Sequence, residues 1–178
     1  MTEKQENIIS AALELFANEG YNATSTSKVA KAAKVSEGLI FRHFGNKEGL
    51  LQAVIDSGET SFRNLFARVV QETEPKAAIR QAILLPASVP TSEYGFWKLQ
   101  FKLKWELDLG GGDKLEPMRE ALTQAFAKLQ YKQPAEEAQI LIATLDGIGS
   151  AMLKGEMEDI HTVTQVLLAK YEVSLPEQ

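Results

Sequence analysis

The chain has 178 residues, with 19 Lys plus Arg against 24 Asp plus Glu, a formal net charge of −5, and no Cys. A content of 44% apolar and 24% charged residues suits a folded globular protein and excludes wholesale disorder. The missing Cys excludes disulfide frameworks, Cys-ligated metal sites and thiol catalysis. No apolar run approaches the roughly 20 residues that span a bilayer. The opening MTEKQENIIS also lacks the basic-then-apolar layout of a signal peptide, so a cytoplasmic protein is expected.

In chain order the apolar spacing is helical nearly everywhere. Ile8, Ile9, Ala12, Leu15 and Phe16 form one stripe of a first helix, which Gly20 is placed to end in a left-handed cap. The polar run Thr24-Ser25-Thr26-Ser27 leads into a short helix over about 26–33. After a tight break at Lys34-Val35-Ser36, Ser36 caps a second short helix to about residue 43. Gly45-Asn46 breaks the chain again, and a long helix runs from Lys47 to about Glu72. Pro75, Pro86 and Pro90 bracket a helix of roughly 76–88, and an aromatic-rich helix from Tyr94 to about Leu109 stops at Gly110-Gly111-Gly112. Helices over about 114–130, 135–154 and 158–172 complete an all-α fold of about nine helices.

Charge is not spread evenly. Residues 24–50 hold Lys28, Lys31, Lys34, Arg42 and Lys47 against Glu37 and Glu48, a basic island in an acidic chain. Phosphate binding responds to charge within about 8–10 Å, so the island counts for more than the total.

The same segment has the spacing of a helix-turn-helix. Ala30 suits the point of closest helix approach, Val35 a turn plug and Ile40 an anchor, while Glu37, Gly38, Arg42 and His43 face outward. Such a face suits a major groove, although an ordinary surface corner of two helices has the same spacing.

The motifs narrow this choice. Gly20-Tyr21-Asn22-Ala23-Thr24-Ser25, Val29-Ala30-Lys31-Ala32-Ala33-Lys34-Val35-Ser36 and Phe41-Arg42-His43-Phe44-Gly45-Asn46-Lys47-Glu48-Gly49-Leu50 stand in that order. Over residues 5–51 the chain resembles the DNA-binding domain of TetR-family transcriptional repressors. Two departures are visible: Lys34 replaces the usual turn Gly, and Phe41 replaces a frequent Tyr, losing a hydroxyl for phosphate.

The resemblance implies an N-terminal helix-turn-helix DNA-binding domain at 1–50 and a helical ligand-binding and dimerisation domain at 51–178. By the resemblance, Thr24, Ser25, Thr26, His43 and Lys47 bind phosphates and set register, and Ser36 is a further DNA-binding candidate. Glu37, Gly38 and Arg42 are the candidates at base edges: Arg42 for guanine, Glu37 for cytosine and Gly38 for close backbone approach.

In the larger part, Tyr94, Trp97, Phe101 and Trp105 share one helix face, Leu99, Leu103 and Leu107 line another, and the long helix adds Phe62 and Phe66. The family implies a small-molecule pocket near Phe62, Phe66, Trp97, Phe101 and Trp105, while a plain core accounts for the same stripes. Ala143, Gly147 and Ala151 form a small-residue ridge, and Val163, Val166 and Leu167 stripe the last helix. The resemblance implies that these pair with their two-fold copies as a four-helix bundle. Asp146 lies within this stretch and faces ligand, partner or solvent.

An enzyme is disfavoured. His43 and His161 lack metal-site spacing, and no H-E-x-x-H, nucleophile elbow or phosphate loop is present. No cofactor, metal or membrane partner is expected. The expected partners are an operator in double-stranded DNA, a small-molecule effector and a second copy of the chain. The reading is a ligand-responsive homodimeric regulator, a repressor, and its alternative is a sensor or interaction module without sequence-specific DNA binding.

Overall fold

The computed structural model describes residues 1–106 and 112–173, the side chains at 105, 112 and 113 excepted. Among the described residues it is all-α. The nine helices there are α1 (Glu3–Glu19), α2 (Thr26–Ala32), α3 (Glu37–Phe44), α4 (Lys47–Val70), α5 (Pro75–Ser88), α6 (Tyr94–Glu106), α7 (Gly112–Lys128), α8 (Pro134–Lys154) and α9 (Ile160–Lys170). No helix among them is long and apolar enough to cross a membrane.

Packing divides the chain into two compact units, Met1–Ser61 with Thr91–Gly110, and Phe62–Pro90 with Gly111–Gln178. The division falls inside α4 and groups α6 with α1–α3, so it follows side-chain packing and not the functional boundary expected at residue 50.

In the first unit, the α1 stripe of Ile8, Ala12 and Phe16 is fully buried, against Val29 of α2, Ile40 of α3, Leu50 and Val54 of α4, and Leu99 and Leu103 of α6. A capping box starts α1: Thr2 Oγ1 accepts the Gln5 N–H at 3.3 Å, and Gln5 Oε1 accepts the Thr2 N–H at 2.8 Å. In the second unit, Phe126 of α7 is fully buried and its ring meets Tyr131 at 4.9 Å and Tyr171 at 5.7 Å. Ile79, Leu122 and Leu141 close the same core from α5, α7 and α8.

Pro86 lies inside α5, within the expected span of about 76–88, because in the last turn its missing N–H removes a single helical bond. Three expectations are corrected. Gly20 has φ +99° and ψ 153°, an extended glycine-only conformation in place of a left-handed cap. The helices at 114–130 and 158–172 stop at Lys128 and Lys170, since Gln130 (φ 61°) and Glu172 (φ 53°) turn left-handed. The expected stop at Gly110-Gly111 and the stripe position Leu107 lie outside the described residues; Gly112 is the first residue of α7.

Candidate nucleic-acid interface

The geometry of α2 and α3 starts from a helix ending. Ala30 C=O accepts the Val35 N–H at 3.0 Å, and Lys31 C=O accepts the Lys34 N–H at 3.2 Å. This pair of bonds is the Schellman pattern, which places Lys34 in the left-handed position at φ 56°. Val35 is thereby turned onto the core beside Ala30, and Ile40 is driven to zero exposure. The α3–α4 turn is equally tight. Asn46 Oδ1 accepts the Gly49 N–H at 2.7 Å, and a Cβ at Gly49 would stand 2.0 Å from the Phe44 carbonyl oxygen. Only glycine fits there.

With Ile40 facing inward, α3 shows Gly38, Phe41 and Arg42 to solvent, a stripe at i, i+3 and i+4. Ser36 stands exposed at the N-cap of α3 without a side-chain capping bond. His43 is half-buried, its Nδ1 3.5 Å from Gln5 Nε2. Lys47, in the first turn of α4, lies over the Tyr21 ring at 4.2 Å, with Nζ donating to the Asn22 carbonyl at 3.5 Å. Its ammonium is thus held at the mouth of the α1–α2 loop. Burial, then the negative charge of Glu48, raises the pKa of the Tyr21 hydroxyl.

The remaining expected residues divide. Ser25 is exposed, and its Oγ caps α2 by accepting the Lys28 N–H at 3.2 Å. Thr24 is only 1% exposed, and its hydroxyl donates to the Gly20 carbonyl at 2.8 Å. That side chain braces the loop and is not presented to a phosphate. Thr26 Oγ1 donates to Glu37 Oε1 at 2.6 Å, so the carboxylate expected at a cytosine instead joins the start of α2 to the start of α3. Among the cations, Lys28 is paired with Glu19, while Lys31, Lys34 and Arg42 are exposed.

A contact across 84 residues was invisible in the sequence. Glu106 of α6 accepts the Asn22 N–H at 3.1 Å, and Lys102 donates to the Asn18 carbonyl at 2.8 Å. A Cβ at Gly20 would come within 2.5 Å of the Glu106 carboxylate, so glycine gives both the backbone angle and the space for this anchor.

The expected effector residues fall in different units. Trp97 is buried in the first, its Nε1 3.4 Å from Glu93 Oε2, and Phe101 is half-buried. Phe62 and Phe66, in the second, have ring centroids 4.5 Å apart at a 47° tilt, with Lys114 Nζ 5.7 Å from the Phe62 ring. The Trp105 side chain lies outside the described residues. On α8, Ala143 and Gly147 are exposed, Ala151 is half-buried and Ile140 is 52% exposed. On α9, Val166 is 63% exposed and Val163 half-buried, whereas Leu167, at 8%, belongs to its own unit's core.

Comparison with known proteins agrees with this geometry. Residues 8–54 match the family described as bacterial regulatory proteins, tetR family. The HTH-type transcriptional repressor Rv3405c of Mycobacterium tuberculosis is 40% identical over 76 residues, 43% of this chain and 38% of that protein. The chain covers only 29% to 38% of the length of the curated relatives HTH-type regulators YuxN, YvkB and Rv3405c. A structure described as a TetR-family transcriptional regulator from Rhodococcus sp. superposes with TM-score 0.74 at 18% identity, covering 97% of this chain and 98% of that one. The regulator FadR from Bacillus subtilis, solved in complex with stearoyl-CoA, superposes with TM-score 0.70 at 20% identity, covering 95% and 97%. These are regulators and not enzymes.

The fold and the site therefore define a helix-turn-helix unit similar to that of these regulators. Residues 8–54 carry the N-terminal pattern of the tetR family, and over the rest of the chain the likeness is one of fold.

Proposed function

We propose that this chain is a ligand-responsive homodimeric repressor, working in the cytoplasm and released from a palindromic operator by a small apolar or amphipathic molecule. The observation that carries the reading is the outward stripe of α3: Gly38, Phe41 and Arg42 are exposed on a helix whose opposite side is locked by Ile40. Arg42 reads a guanine, Gly38 lets the backbone approach, and Ser25, Ser36, His43 and Lys47 hold phosphates. Thr24 and Glu37 support the scaffold, their side chains being engaged internally.

Two copies pair through the exposed face of α8 and α9, around Ile140, Ala143, Gly147 and Val166, so two recognition helices meet successive major grooves. Rv3405c, named a repressor, supports the sign of regulation. The stearoyl-CoA complex of FadR supports an amphipathic effector, as does a cation beside an aromatic pair at Lys114, Phe62 and Phe66. Coupling of about 1–3 kcal/mol suffices to weaken operator binding. The bonds from Lys102 and Glu106 to residues 18 and 22 give α6 a grip on the loop that opens α2.

The test is selection of bound sequences from random DNA. An enriched palindrome whose affinity falls with salt is the expected result. Absence of any enriched site refutes the repressor and favours a sensor without sequence-specific DNA binding.

A further inference from the structure

Phe41 is 46% exposed on the one face of α3 that the fold leaves uncovered. A large aromatic there contributes nothing to the core, which Ile40 of the same helix completes at zero exposure. It also has no hydroxyl with which to hold a phosphate. We infer that Phe41 is a base-reading side chain, packing its ring against the 5-methyl group of a thymine in each half-site. The inference rests on the DNA-binding reading above and adds to it a second reader beside Arg42.

Three observations on α3 carry it. Helical side chains lean toward the N-terminus of their helix, so the Phe41 ring covers the turn that begins at Gly38. A Cβ at Gly38 would meet nothing within 4 Å, so that turn is open and a base edge can enter beside the ring. The surroundings also select the partner. Residues 24–50 carry five cations against two carboxylates, and Glu37, the carboxylate on α3, is engaged by the Thr26 hydroxyl. A polyanion is drawn to this face, and the apolar group that DNA displays in its major groove is the thymine methyl.

Replacing thymine by deoxyuridine removes that methyl and leaves every hydrogen-bonding group in place. With an operator obtained by selection, each thymine is replaced in turn and the dissociation constant is measured at fixed salt. One thymine per half-site is expected to show a loss of about three- to fivefold, the scale of one buried methyl. Phe41→Ala is expected to bind the thymine and deoxyuridine operators equally, whereas Arg42→Ala keeps the penalty. Phe41→Leu, which retains an apolar tip, is expected to keep part of it. Far-ultraviolet circular dichroism checks that the variants remain folded. The inference is overturned if the parent binds its operator yet is indifferent to deoxyuridine at every position, or if Phe41→Ala still shows the penalty. Failure to bind any DNA site overturns the DNA-binding reading as well, a distinct result from binding without methyl discrimination.

Discussion

The helices α3 and α8 each leave one face uncovered within their own unit, and the two faces have opposite chemistry. On α3 the uncovered face carries a guanidinium and an aromatic ring around a glycine, with Lys31 and Lys34 exposed just before it in sequence. On α8, between the exposed Glu136 and Lys154, it carries Ile140, Ala143 and Gly147, which have no formal charge. A polar, cationic face with one apolar tip suits a duplex groove. A smooth apolar ridge suits the close approach of another helix. Exposure alone therefore does not mark a partner; the chemistry of what is exposed separates a nucleic-acid face from a protein face.

Charge and bulk placed on the α8 face have the largest expected effect. A Cβ at Gly147 meets nothing within 4 Å, so Gly147→Arg fits the isolated subunit and raises helix propensity by roughly 1 kcal/mol. It is expected to keep its circular dichroism spectrum, to sediment as a monomer, and to lose operator affinity by about 10²- to 10⁴-fold as the two half-sites uncouple. A variant that remains a dimer shows that α8 is not the interface.

On α3 and its neighbour the expected effects are smaller and differ in kind. Arg42→Ala removes the proposed base contact and should cost about 1–3 kcal/mol on the selected operator, with relaxed specificity at one position. Lys47→Ala removes a cation fixed between the Tyr21 ring and the Asn22 carbonyl. It should weaken binding to all sequences alike and reduce the salt slope by about one for each phosphate no longer neutralised. Binding measured against salt on specific and random duplexes separates the two. If both variants bind like the parent at moderate salt, α3 is not the reading helix.

Most of the first unit was legible in the sequence because its signals are local. Ala30, Val35 and Ile40 sit where a helix-turn-helix needs small, plugging and anchoring side chains, and all three pack on the core as expected. What could not be read depends on partners distant in the chain. Thr24 looks like a loop hydroxyl free for phosphate, until the bend at Gly20 brings that residue's carbonyl within 2.8 Å of its side chain. Glu37 looks like a base-reading carboxylate, until the Schellman turn brings Thr26 within 2.6 Å. The anchor from Glu106 to Asn22 has no local signature at all. The helical spacing runs past the ends of α7 and α9 for a related reason: they close on Gln130 and Glu172, left-handed residues without the glycine that marks such an end.

Those same endings carry a smaller effect on stability. Lys34, Gln130 and Glu172 share the left-handed cap position at φ 56°, 61° and 53°, where a Cβ is unfavourable by about 1–2 kcal/mol. Glycine relieves that strain but is disfavoured by its greater freedom in the unfolded chain, by roughly 0.5–1 kcal/mol. The net gain is up to about 1.5 kcal/mol, and each 1 kcal/mol raises Tm by about 2–4 °C for a chain of this size. All three substitutions to glycine should therefore raise Tm alike. Their effects on operator binding should not be alike, because Lys34→Gly also removes an exposed cation from the basic island, whereas Gln130→Gly and Glu172→Gly lie in the second unit. Only Lys34→Gly should weaken binding at low salt and flatten its salt dependence. A drop in Tm for Lys34→Gly would show that the lysine stabilises the turn by more than its backbone strain. An unchanged salt slope would show that its charge stands outside the DNA face.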